Sequence, residues 1–156
     1  MAIGELHEVV KKLQKNALAM ALYKNKEDKY LICKTPYFNQ FTLPCIPVDE
    51  TKSITYFLNP ILEEEFNIVP MITNYLETIR GVYLKETYLT IGNILCIQYK
   101  DYKSEIQSKD ENITNSIIYT EKQYISYEQA LQLYSTNKLN PYSMYCIERE
   151  YNNLEG

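Results

Sequence analysis

The segment from Leu43-Pro44 to Ile68 constrains this chain more than any other. The stretch CIPVDETKS carries turn chemistry at Pro47 and Asp49. Ile54, Phe57, Leu58, Ile61 and Leu62 then recur at the spacing of one helix face. The pattern stops near Asn67, a residue that tolerates the left-handed conformation of a helix end. A glutamate triplet, Glu63 to Glu65, fills the last turn. Pro60 sits inside the pattern. It must either kink the helix or open it with Asn59 as the N-cap, because a proline in a helix interior costs ~3 kcal/mol.

Strand-type runs flank this unit. Leu6, Val9, Val10 and Leu13 predict a short amphipathic N-terminal helix, with His7 on its polar side as a surface residue. Ala17–Tyr23 and Tyr30–Cys33 read as two strands joined by a polar loop. From Met71 to Tyr99 the chain predicts two or three strands, broken at Arg80-Gly81 and at Lys85-Glu86. Lys100 to Asn115 reads as a long mobile loop, and Ile117, Ile118 and Tyr119 as a last strand. Ser126 with Gln129 forms a capping-box pattern ahead of a helix whose apolar face is Tyr127, Ala130, Leu131 and Tyr134. Asn140-Pro141 opens a final helix with Met144, Ile147 and Tyr151 inward. No repeat or linker divides the chain, so one α+β domain over residues 1–156 is expected.

Composition narrows the function. With 46% hydrophobic and 23% charged residues among 156, the chain can build a real core. Sixteen basic against twenty acidic residues give a net charge of −4, which argues against bulk binding of nucleic acid. Only Arg80 and Arg149 could clamp phosphate in bidentate fashion. The cysteines Cys33, Cys45, Cys96 and Cys146 form no C-x-x-C pair, which disfavours zinc and a disulfide framework. No apolar stretch approaches the ~20 residues of a membrane span. A soluble cytoplasmic protein with no membrane partner is the expectation.

The order of elements and the segment from Phe41 to Ile68 resemble the Nudix hydrolase (MutT-like) family. In that family a strand ending in Leu-Pro-Gly-Gly feeds the spacing G-x5-E-x7-R-E-U-x-E-E-x-G-U, with U aliphatic. Leu43-Pro44 matches the Leu-Pro, and Glu64-Glu65-Phe66-Asn67-Ile68 falls on E-E-x-G-U with no insertion between the anchors. Tyr124 to Leu133, YISYEQALQL, looks like the family's aromatic-initiated last helix. The resemblance implies a mixed β-sheet sandwiched between helices, with an extra N-terminal helix and two C-terminal helices. It also implies Mg²⁺ or Mn²⁺ on helix glutamates, which would neutralise a diphosphate and activate a water. The metal candidates are Glu64 and Glu65. Phe38 and Phe41, beside Tyr37, are candidates to stack on a base, with core packing as their other reading.

The box is degenerate where the family's chemistry resides. Cys45 and Ile46 replace the two glycines whose missing Cβ lets a carbonyl approach a metal. Lys52 replaces the loop glutamate, Pro60 the orienting arginine and Ile61 the catalytic glutamate. No catalytic residue is assigned. Asp49, Glu50 or the carboxylates of the Lys100–Asn115 loop, Asp101 and Glu105 among them, could replace lost ligands. Cys45 lacks a neighbouring base and reads as a packing residue. The expected function is a Nudix-fold protein resembling hydrolases of nucleoside diphosphates linked to another moiety, with weak or absent hydrolysis. The alternative is a non-catalytic domain that binds a nucleotide-like ligand or a protein partner, with a homodimer open; an unrelated α+β interaction module is the third reading.

Overall fold

The computed structural model describes residues 14–102 and 118–155. The predicted N-terminal helix with His7, and most of the predicted loop including Glu105, lie outside the described residues. The elements run β1 (Ala17–Tyr23), β2 (Tyr30–Lys34), β3 (Cys45–Val48), α1 (Ile54–Phe66), β4 (Pro70–Lys85), β5 (Tyr88–Asp101), β6 (Thr120–Ile125), α2 (Tyr127–Ser135) and α3 (Pro141–Glu155). Four strands form a mixed sheet in the order β3-β1-β5-β4, and β2 pairs with β6 in a second, antiparallel sheet. Strand β1 is antiparallel to β3 and parallel to β5, and β4–β5 is one long antiparallel hairpin.

Every residue of β1 is buried, because both faces of this inner strand are covered. Its alternation sorts the core into two layers. Ala17, Ala19, Ala21 and Tyr23 pack with Leu58, Ile61, Leu62 and Phe66 of α1, where small side chains let the helix lie close. Leu18, Met20 and Leu22 pack with Met144, Cys146 and Ile147 of α3 and Ala130 of α2. Leu58 and Leu62 are fully buried, and each such side chain stabilises the fold by about 1.5–3 kcal/mol. Glu150 of α3, itself buried, accepts hydrogen bonds from Lys24 Nζ (2.7 Å) and Tyr30 Oη (2.5 Å), which ties α3 to both sheets.

Three sequence expectations change. Arg80-Gly81 does not break a strand: β4 runs through it with Gly81 opposite Gly92, and a Cβ on Gly81 would lie 2.6 Å from the Tyr142 ring of α3. The last strand falls on Thr120–Ile125 rather than on Ile118 and Tyr119, and Tyr119 instead enters the α1-side core, while Ile117 lies outside the described residues. On α2, Ala130 is buried with Tyr127 and Leu133 half-buried beside it, an i, i+3 stripe, while Leu131 and Tyr134 stay 39% and 46% exposed. A nine-residue helix that docks through so small a residue presents a narrower face than its sequence suggests. The predicted caps stand. Gln129 N donates to Ser126 Oγ (3.1 Å), Ser126 N to Gln129 Oε1 (2.8 Å), and Ser143 N to Asn140 Oδ1 (2.8 Å).

Candidate functional site

Helix α1 frames the site. It begins at Ile54 with Ser53 in the extended N-cap conformation and carries Pro60 as the seventh of its thirteen residues. The choice the sequence left open is therefore resolved: Pro60 is interior, and Asn59 is not the cap. The helix closes at Asn67, which is left-handed (φ 55°), with Ile68 N donating to Leu62 O at 2.9 Å. This geometry decides which side chains point outward. Ile61, at the position of the family's catalytic glutamate, is 9% exposed and belongs to the α1-side core. Pro60, Glu63 and Glu64 are exposed. Lys52 is exposed too, its ammonium 5.4 Å from the centroid of the Tyr56 ring.

Glu65 is half-buried and faces a cation that the chain itself supplies. Lys122 of β6 donates from Nζ to the Glu65 backbone carbonyl at 2.6 Å and to Glu65 Oε2 at 3.3 Å. The Lys122 side chain is only 1% exposed, and its ammonium lies 5.0 Å from the centroid of the Phe66 ring. The α1 sequence has no basic residue in its last turn, so Lys122 also provides the positive charge that a helix C-terminus favours. At the other anchor, the carbonyl of Cys45 accepts a 2.8 Å hydrogen bond from Tyr119 Oη. The Cys45 thiol is buried, and desolvation pushes its pKa up to about 12 against the help of Thr42 and Thr35, so it is a packing group and not a nucleophile.

These residues do not fit a resident divalent ion. Magnesium and manganese require several oxygen ligands. Among the described residues, no three His, Cys, Asp or Glu side chains converge in a way that could hold one. The Cys45 carbonyl already accepts a hydrogen bond from Tyr119, and the Glu65 carboxylate faces an ammonium. Asp49 engages the Thr51 amide at 2.8 Å and the Thr51 hydroxyl, which hold its carboxyl below the usual range. Glu50 is exposed. Asp101 belongs to β5 and is 1% exposed, where its charge helps raise the pKa values of Tyr23 and Tyr124 behind the larger effect of burial.

A cleft of about 400 Å³ opens between the β2–β3 loop and the β4–β5 hairpin. Tyr37, Phe38 and Tyr83 supply its rings, and Asn39, Gln40 and Asn137 its amides. Gln40 Nε2 donates to Asn137 Oδ1 at 2.7 Å, and Leu84 N donates to Tyr37 O at 2.9 Å, so the cleft walls are fixed to each other. Phe38 lines this cleft, with its centroid 6.0 Å from that of Tyr142. Phe41 is half-buried away from it, under the Lys34 ammonium at 4.9 Å. Both phenylalanines pack on the α3-side core, whereas Glu65 belongs to the helix on the opposite face. The structure thus separates the two halves of the sequence-derived site. Sequence reasoning missed Lys122, Tyr119 and the hairpin wall; a lysine within the polar strand TEKQYI carries no sign of burial.

No protein-family model and no curated protein matches the sequence. The likeness is in the fold, and the chain has the Nudix fold. A MutT protein from Methanosarcina mazei Go1 superposes with a TM-score of 0.64 at 15% identity, over 91% of this chain and 96% of that one. A Caenorhabditis elegans Ap4A hydrolase gives 0.61 at 16% identity, over 90% and 98%. The Nudix domain of Shewanella oneidensis NrtR, complexed with ADP ribose, gives 0.61 at 17% identity, over 90% and 88%. Among the described residues, no helix is long and apolar enough to cross a membrane.

Proposed function

We propose that this chain is a Nudix-fold binding domain for a nucleotide-like ligand, a nucleoside diphosphate linked to another moiety, which it hydrolyses weakly or not at all. One observation carries the reading: Ile61, at the family's catalytic position, is a core residue packed among Leu58, Leu62 and Phe66. A buried isoleucine can neither ligate a metal nor take a proton, and loss of a general base alone lowers rate by about 10²–10⁴. Phe38 in its aromatic and amide-lined cleft supports ligand binding, since a ring offers a stacking face to any base. The ADP-ribose complex of the NrtR domain supports the choice of ligand class.

The test is a calorimetric titration with ADP-ribose, a dinucleoside polyphosphate and a nucleoside triphosphate, alongside a turnover assay with Mg²⁺ and Mn²⁺. Binding without metal-dependent release of product is expected. Phe38→Ala should weaken binding about 5- to 150-fold, the ~1–3 kcal/mol of one stacked base. Turnover that is lost in Glu64→Gln would overturn the reading. A second reading, a protein partner, is favoured by the hairpin tip, where Tyr88, Leu89 and Ile91 are 71%, 74% and 64% exposed. Placing charge there, with Leu89→Asp and Ile91→Asp, would abolish such an interaction.

A further inference from the structure

We propose that Lys122 stands in for the divalent cation that the Nudix resemblance implies, so that the Glu65 carboxylate is neutralised permanently from within the chain. The inference rests on the reading of α1 as the metal-cradling helix of the family, stripped of most of its acids. Three observations converge on it. Glu65 is the box carboxylate that turns partly inward, and the group it meets is an ammonium. That ammonium is buried to 1% exposure and seated against the Phe66 ring, so it is not a surface lysine that happens to lie near a carboxylate. The Cys45 carbonyl, at the place where the family brings a backbone oxygen to its metal, is engaged by Tyr119 from the segment just ahead of β6. Lys122 and Tyr119 are three residues apart, so one short stretch of chain satisfies both oxygens.

The charge balance explains why the arrangement is stable. A half-buried carboxylate without a positive partner is costly, and removing one member of a buried pair leaves the other uncompensated. A metal site solves this with an ion taken from solution. Here the compensating charge is covalently attached and loses no translational freedom at the moment of neutralisation.

The test compares melting temperatures of the EDTA-treated wild-type chain, Lys122→Met and the double variant Lys122→Met with Glu65→Gln, each with and without millimolar Mn²⁺. The wild type should not respond to Mn²⁺. Lys122→Met should melt lower by about 4 °C or more and should not respond to Mn²⁺, because the Glu65 carboxylate and carbonyl alone are too few oxygens for a divalent ion. The double variant should regain part of the loss without metal and should not respond to Mn²⁺. A lysine that merely caps α1 or packs on Phe66 predicts no recovery when Glu65 is neutralised, so a double variant that melts no higher than Lys122→Met overturns the proposal. So does a wild type stabilised by Mn²⁺ in a manner that Glu65→Gln abolishes. If Lys122→Met alone does not fold, the double variant decides: folding supports charge compensation, and failure refutes it. Failure of the wild type to bind any nucleotide would sink the function proposed above and leave these melting temperatures unchanged.

Discussion

Pro60 offers a direct measure of whether α1 is a continuous helix. It is the seventh residue of Ile54–Phe66, so its missing N–H and its ring both fall on the carbonyl of Tyr56, one turn earlier. An interior proline costs ~3 kcal/mol relative to alanine. Against this, proline restricts the unfolded chain, and losing that restriction returns about 0.4–1 kcal/mol to the unfolded state. Pro60 is exposed, so its replacement sacrifices little buried surface. Pro60→Ala should therefore stabilise the protein by about 2 kcal/mol, or roughly 4–8 °C in Tm for a domain of this size. Urea titration is the suitable assay: the midpoint should rise while the slope is unchanged, because the surface exposed on unfolding is the same. An equal or lower midpoint would mean that residues 54–59 and 61–66 do not share one hydrogen-bonded ladder. The placement of Ile61 in the core, and with it the argument against hydrolysis, would then fall.

Two further predictions address the core. Gly92→Ala would set a Cβ 1.9 Å from the backbone carbonyl of Asn16, which cannot rotate away, so a loss of about 3 kcal/mol or more is expected in chemical denaturation. Gly81→Ala meets the movable Tyr142 ring and should cost less, chiefly through the 2.9 Å hydrogen bond from Val82 N to Tyr142 Oη. Stability should also fall steeply in alkali. Burial raises Tyr23 and Cys45 from 10.0 and 9.0 to about 12, and raises Tyr30, Tyr99, Tyr119 and Tyr124 further. The native state therefore keeps protons that the unfolded state releases. The sign follows: this stability is complete below about pH 9 and is lost as pH climbs from 9 through 12. Tyrosinate absorbance and far-ultraviolet circular dichroism should change together; tyrosines that ionise fully before the helices melt would refute it.

What could be read in the sequence was local. Asn67, Ser126 with Gln129, and Asn140-Pro141 each mark a helix end through a bond made within a few residues, and each end falls where expected. The nearly continuous apolar runs of β1 and β2, separated by the polar segment Lys24 to Lys29, were legible over an equally short span. The errors lie where a distant partner decides. Gly81 looks like a strand breaker until Tyr142, sixty-one positions on, is found filling the space above it. The strand Thr120–Ile125 alternates polar residues, and only its pairing with β2 makes it a strand at all.

The candidate site divides along the same line. The departures from the Nudix spacing at Lys52, Pro60 and Ile61 are visible in one row of letters, because that spacing is itself local. The compensation is not, since Lys122 lies fifty-seven positions from the carboxylate it neutralises. A sequence that has lost ligands therefore looks like an incomplete metal site, and the natural search is for substitute acids such as Asp49 or Asp101. With Lys122 as the positive charge proposed for Glu65, no further acid is required beside that carboxylate, and Ile61 in the core and Lys52 on the surface are compatible with the same arrangement.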